Sequence, residues 1–170
     1  MFHRNYACSI GTTLVPTHIN QVLLNVISTV STDTTQPASY FEHDADIGVI
    51  GRGATLEQAF EAAAQAVFAV ITPLDGVRAQ TTVSIEFEEA DQELALVTWL
   101  NLLLGKSREL GMVFSRFHLQ HQGNKWNGEV SGEKWSDSLE RGVEVKGATL
   151  TMLSVKQTGA TWEARCVVDV

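Results

Sequence analysis

Residues 91–122 read DQELALVTWLNLLLGKSRELGMVFSRFHLQHQ, and the change of period at Gly111 within this stretch decides the fold. Asp91 is placed to cap a helix by accepting from its first free backbone N–H groups. Leu94, Leu96, Val97, Trp99, Leu100, Leu102, Leu103 and Leu104 then cover a wide apolar arc. A helix so apolar is expected to be the central one, covered on more than one side. The same leucines also suit a partner-binding face. The helix is predicted to run to about Leu110, with Gly111 as its stop. From Val113 to Gln122 the pattern becomes that of a strand, and no helical period returns after it.

Working upstream, Thr81 to Glu88 alternates around Val83, Ile85 and Phe87, a half-buried strand. Before it, Thr55-Leu56-Glu57-Gln58 forms a capping box. Leu56, Ala59, Phe60, Ala63, Val67, Val70 and Ile71 follow at helical spacing until Pro73 and Gly76 end the element. Ile47, Val49, Gly51 and Gly53 predict a short strand ahead of that helix. Working downstream, Trp126 to Gly132 reads as a strand. Val143 to Lys156 and Trp162 to Val168 read as a hairpin closed near Thr158-Gly159-Ala160. The order is β, α, β, α, then four β. Helices interleave early and strands run together late. That predicts an α+β two-layer sandwich with a mixed, mainly antiparallel sheet and two helices. In the strand from Val143, the apolar phase changes at Gly147, which predicts a β-bulge there.

Composition sets the bounds. The chain has 170 residues, enough for one domain with a real core. Twelve Lys and Arg stand against 20 Asp and Glu, for a formal net charge of -8. Such a balance disfavours strong direct binding to nucleic acid and suits cations. Residues 1–37 carry one acid, Asp33, one base, Arg4, and a Ser/Thr-rich run, and are expected to be a flexible extension to a domain over 38–170. No apolar run has the length that crosses a bilayer. Two cysteines, Cys8 and Cys166, lack metal-ligand spacing. The reading is a reduced, cytoplasmic protein in which Cys166 packs as a small hydrophobe.

Two places can carry chemistry. His43-Asp44-Ala45-Asp46-Ile47-Gly48 packs two carboxylates and an imidazole into a turn at the head of a strand. Carboxylate oxygens suit hard cations such as Ca²⁺ or Mg²⁺; such a turn can equally be solvated. The other is Asp169-Val170, where adjacent carboxylates would repel unless a positive group stands beside them. The hairpin turn near Gly159 sets Lys146 opposite Asp169 and Val170, within a few residues of register. A metal ion or Lys146 would serve as that positive group. His118 and His121 fall on alternate strand phases and read as surface histidines rather than ligands, and the four tryptophans as packing rather than a base-stacking platform. P-loop, dinucleotide fingerprint, nucleophile elbow and HExxH motifs are absent.

Taken in order, His43-Asp44-Ala45-Asp46-Ile47-Gly48, Gly53-Ala54-Thr55-Leu56-Glu57-Gln58-Ala59-Phe60, Trp99-Leu100-Asn101, Val145-Lys146-Gly147-Ala148-Thr149 and Val168-Asp169-Val170 resemble the archease family over about residues 40–170. The resemblance implies a protein cofactor, not an enzyme. Its partner would be the GTP-dependent RNA ligase that joins ends bearing a 3′-phosphate or 2′,3′-cyclic phosphate, including in tRNA splicing. It implies promotion of ligase guanylylation and turnover, with a bound divalent metal, often Ca²⁺. By position, Asp46, Asp169 and Val170 would be the metal ligands and Lys146 the activating lysine, with His43 and Asp44 in support. The chain departs from the family at Asp44, at Leu102 in place of an acid, and at Leu150 in place of a tyrosine. Two other functions fit the residues: a metal-dependent phosphohydrolase built on Asp44, Asp46 and Asp169, and a general chaperone or interaction module.

Overall fold

A computed structural model describes residues 36–43 and 46–170. The expected flexible extension lies outside the described residues apart from Gln36 and Pro37, and so does Asp44. Pro37 is tied to the domain, its carbonyl accepting from the Arg52 amide at 2.6 Å.

The elements of the described residues are β1 (Ala38–His43), β2 (Asp46–Gly53), α1 (Leu56–Ile71), β3 (Thr81–Glu88), α2 (Gln92–Leu110), β4 (Met112–Gln122), β5 (Lys125–Lys134), β6 (Gly147–Ala148), β7 (Ser154–Thr158) and β8 (Thr161–Asp169), with a 3-10 turn at Leu74–Gly76. Among the described residues the α+β sandwich with two helices is present. Its strands divide between two sheets, and every described pairing is antiparallel. One sheet runs β1-β2-β8-β6, with β7 also on β8; the other runs β3-β5-β4.

Local chemistry explains the helix ends. Thr55 accepts from the Gln58 amide, and the Gln58 side chain accepts in turn from Ala54, one residue beyond the usual box. Asp91 Oδ1 accepts from both Glu93 and Leu94 amides. Gly111 ends α2 at φ 60, the left-handed conformation that glycine adopts without cost.

The central helix is α1, which corrects the expectation that placed α2 there. Ten of the 16 residues of α1 are buried, against seven of 19 in α2. α1 packs on β1, β2 and β8 and also on β4. Its buried residues include five alanines, so the sheet approaches closely. A Cβ at Gly51 would stand 2.1 Å from the Ala59 carbonyl oxygen. Short side chains on the helix and glycine on the strand bring the backbones together, and α1 is covered by proximity rather than by leucine bulk. α2 keeps Leu96, Trp99, Leu100 and Leu103 fully inside, while Leu94 stands 43 % exposed.

A second correction concerns residues 143–156. They do not form one long strand bulged at Gly147. β6 is two residues long, the chain then turns through Thr149–Leu153, and β7 resumes at Ser154. Cys166 is buried and free, and burial pushes its thiol up to about 12, so it packs as a small hydrophobe.

Candidate functional site

One row of residues crosses four strands at the end of the first sheet. His43 of β1 pairs with Asp46 of β2. Ile47 pairs with Val168, so the next position sets Asp46 opposite Asp169 of β8. Asp169 in turn pairs with Gly147 of β6. Residues directly opposite in an antiparallel pair share a face, with Cβ atoms about 4.5–5.5 Å apart, so both carboxylates lie on one side. That side is the outer one, because Ile47, Val49, Val168 and Cys166 take the buried phase.

Lys146 closes the row as the hairpin register predicts. Its amide donates to the Asp169 carbonyl at 2.7 Å. Its Nζ donates to the Val170 oxygen at 2.9 Å and stands 3.9 Å from Asp169 Oδ1. The lysine and aspartate side chains are 62 % and 52 % exposed, so the charges are open to solvent. His43 Nδ1 is buried without a hydrogen-bond partner among the described residues. Two like charges opposite each other destabilise a sheet unless a cation stands near them. The corner supplies one such cation, Lys146, and retains carboxylate oxygens of the type that binds hard metals.

The backbone under Lys146 is fixed by residues to which sequence reasoning assigned no role. Asn101 of α2 donates to the Ala148 carbonyl at 3.0 Å and accepts from the Ala148 amide at 2.9 Å. Arg108 Nη2 donates to the carbonyls of Val145 at 2.5 Å and Lys146 at 2.7 Å. Thr149 donates to the Val167 carbonyl through both its amide and its hydroxyl, each at 2.9 Å. A polar Asn101 inside the apolar Trp99-Leu100-Asn101-Leu102 run was the available signal.

His118 and His121 are apart from this corner, facing glutamates of α1. His121 Nδ1 lies 2.6 Å from Glu57, and its ring stacks on Trp126 at 4.5 Å. Burial opposes ionisation of Glu57, but its backbone contact, the Thr55 hydroxyl and His121 outweigh that and hold the carboxyl below its ordinary range. Glu61 pairs with His118 at 3.2 Å and accepts from the Leu119 amide at 2.7 Å, which covers the free edge of β4. Trp99 and Trp126 lie in the core.

The fold and the corner define a small α+β sandwich domain with an open carboxylate–lysine row, and comparisons with known proteins give its family. Residues 39–170 match the archease protein family (MTH1598/TM1083), and the chain belongs to that family. It is 35% identical over 134 residues to protein archease of Sulfolobus acidocaldarius, covering 77% of this chain and 96% of that one. It is 34% identical to protein archease of Methanosarcina mazei, with 77% and 94% covered. The solution structure of Methanobacterium thermoautotrophicum protein 1598 superposes with a TM-score of 0.67 at 28% identity, over 79% of this chain and 99% of that one. The Thermotoga maritima archease, described as a possible chaperone, shares the fold with a TM-score of 0.56 at 20% identity, over 76% and 94%. No helix among the described residues is long and apolar enough to cross a membrane.

Proposed function

We propose that this chain is a metal-binding accessory protein, not an enzyme in its own right. It promotes guanylylation and turnover of a GTP-dependent RNA ligase in tRNA splicing or RNA repair. The observation that carries this reading is the row of Asp46 opposite Asp169, closed by Lys146, in a chain of the archease family.

Asp46 and Asp169 would hold the ion, with an oxygen of Val170 and with His43 and Asp44 in support. Among the described residues no group of three or more His, Cys, Asp or Glu is arranged to hold a metal. The donor set is therefore partial. Ca²⁺ takes roughly six to eight oxygens, so water or a partner's oxygens would complete the shell. A partial, solvent-open set suits an ion shared with another protein better than one that activates water for a reaction of this chain's own. Mg²⁺, with its stricter octahedral demand, is the second choice.

Lys146→Ala should keep its fold and its Ca²⁺ affinity yet lose stimulation of the ligase from its own source in a guanylylation assay with GTP. A variant that stimulates as well as the parent removes Lys146 from the mechanism. Asp46→Asn and Asp169→Asn should each weaken Ca²⁺ binding by about tenfold or more in titration calorimetry. Hydrolysis of RNA by this chain alone would favour the phosphohydrolase instead. Stimulation that survives loss of both carboxylates would favour a general interaction module.

A further inference from the structure

A cleft of about 400 Å³ is lined in part by Val143, Glu144 and Val145, the residues just ahead of Lys146. Its floor is apolar, formed by Ile71 at the end of α1, Leu104 of α2, Trp135 and Val143. Its rim carries two guanidinium groups, Arg108 and Arg141. The volume falls in the range of about 300–1,000 Å³ that small-molecule sites occupy.

The walls are already fixed. Gly142 and Val143 amides donate to the last carbonyls of α1, Ile71 at 2.8 Å and Val70 at 2.9 Å. Arg108 pins the far end of the segment through the Val145 and Lys146 carbonyls. The Arg141 guanidinium carbon lies 4.3 Å from the centroid of Trp135, a stacked arrangement that orients its fork. A cleft held from both ends needs little reorganisation to receive a ligand.

Charge pairing sets these two arginines apart from two others. Arg52 holds Glu163 and Arg78 holds Glu133. Neither Arg108 nor Arg141 has a carboxylate within ion-pair distance among the described residues. Arg108 spends one nitrogen on two carbonyls and keeps other N–H groups to offer. Guanidinium forks match phosphate and carboxylate oxygens, and aromatic faces receive flat rings.

We propose that this cleft binds a small oxyanion, phosphate or carboxylate, carried on a flat ring-bearing body. The ring lies against Ile71, Leu104 and Val143, and the anionic head meets Arg108 and the Arg141 fork that Trp135 holds in place. Glu144, the one acid on the lining, opposes the ligand. Such chemistry arises from a nucleotide or from a carboxylate on an aromatic group. The site is separate from the carboxylate row and does not depend on the function proposed above.

The test is titration calorimetry, with tryptophan fluorescence alongside, on the full chain. The probes are phenyl phosphate, adenosine 5′-monophosphate, phenylacetate and inorganic phosphate. Phenyl phosphate should bind, and more tightly than inorganic phosphate, because only the former covers the floor. Arg141→Gln should weaken it about tenfold, the loss of one charge-assisted contact. Glu144→Gln should tighten it a few-fold, and Asp169→Asn should leave it unchanged. Tighter binding of the nucleotide than of phenylacetate names a nucleotide source, and the reverse names an aromatic carboxylate. Equal binding of phenyl and inorganic phosphate overturns the role of the floor. No binding at millimolar concentration, or binding that neither Arg141→Gln nor Trp135→Leu alters in variants with the parent's melting temperature, overturns the proposal.

Discussion

The same pair of strands, β2 and β8, carries charge in two rows six residues apart, and the two rows are built in opposite ways. At one end Arg52 pairs with Glu163 across the ladder, unlike charge against unlike. The guanidinium reaches Glu163 Oε2 from Nε at 3.1 Å and from Nη2 at 3.0 Å, and Nη1 reaches the Ser39 hydroxyl at 2.8 Å. Those two side chains are only 14% and 21% exposed. At the other end Asp46 falls opposite Asp169, like charge against like, and the neighbouring Lys146 stays 3.9 Å away in solvent. The first row satisfies itself and has nothing left to offer a ligand. The second sets one lysine against two carboxylates, and that imbalance is what the proposed metal site would use.

The comparison can be broken by stability measurements on purified variants. The largest loss is expected from Asn101→Ala, which leaves the half-buried Ala148 amide and carbonyl without partners. It should cost about 2–3 kcal/mol by urea unfolding. A near-neutral result would show that the corner is not positioned by α2. Next, Arg52→Ala should cost about 2 kcal/mol, since hydrogen bonds to a charged, mostly covered partner are lost. Lys146→Ala should cost only about 0–1 kcal/mol, as exposed pairs do. Equal costs at the two ends would erase the distinction between a structural and an open row. Smallest of all, Asp169→Asn should be neutral or stabilising by a few tenths of a kcal/mol at low salt without divalent ions, because a like-charge pair is relieved. The gain should fade as salt screens the pair. A clear destabilisation would mean that Asp169 is already compensated within the chain.

Much of this was legible before any coordinates. The Asp91 cap and the Gly111 stop set the bounds of α2, and alternation set those of β3, because each is a local rule written in adjacent residues. Counting back from the Gly159 turn brought Lys146 to within a few residues of Asp169. The interruption on the way was harder. The phase change was read as one extra residue at Gly147, whereas the excess is three residues within Thr149–Leu153, since Ala148 pairs with Val168 and Ser154 with Arg165. One extra residue and three extra residues both move apolar side chains to the opposite face, so alternation cannot tell them apart. The central place of α1 was hidden for a different reason. Alanine is weakly hydrophobic, and its burial depends on a glycine-bearing strand that only the fold brings near. β1 was missed because its partner strand begins only three residues on, at Asp46, and the acidic sequence there reads as turn before it reads as pairing.

The turn through Thr149–Leu153 also acts as a length gauge. Pairing carried without interruption from the Thr158–Thr161 hairpin would set Leu150, not Gly147, opposite Asp169. The three surplus residues draw the chain back so that the lysine stops at the end of β8. Met152 takes up the slack in the left-handed region at φ 51, a conformation that costs a side-chain-bearing residue of order 1 kcal/mol or more. Shortening this turn by two residues would keep every apolar side chain on its present face, yet it would carry Lys146 beyond the last residue of β8. Folding and the placement of the lysine are thus written in different currencies here, parity for the first and absolute length for the second.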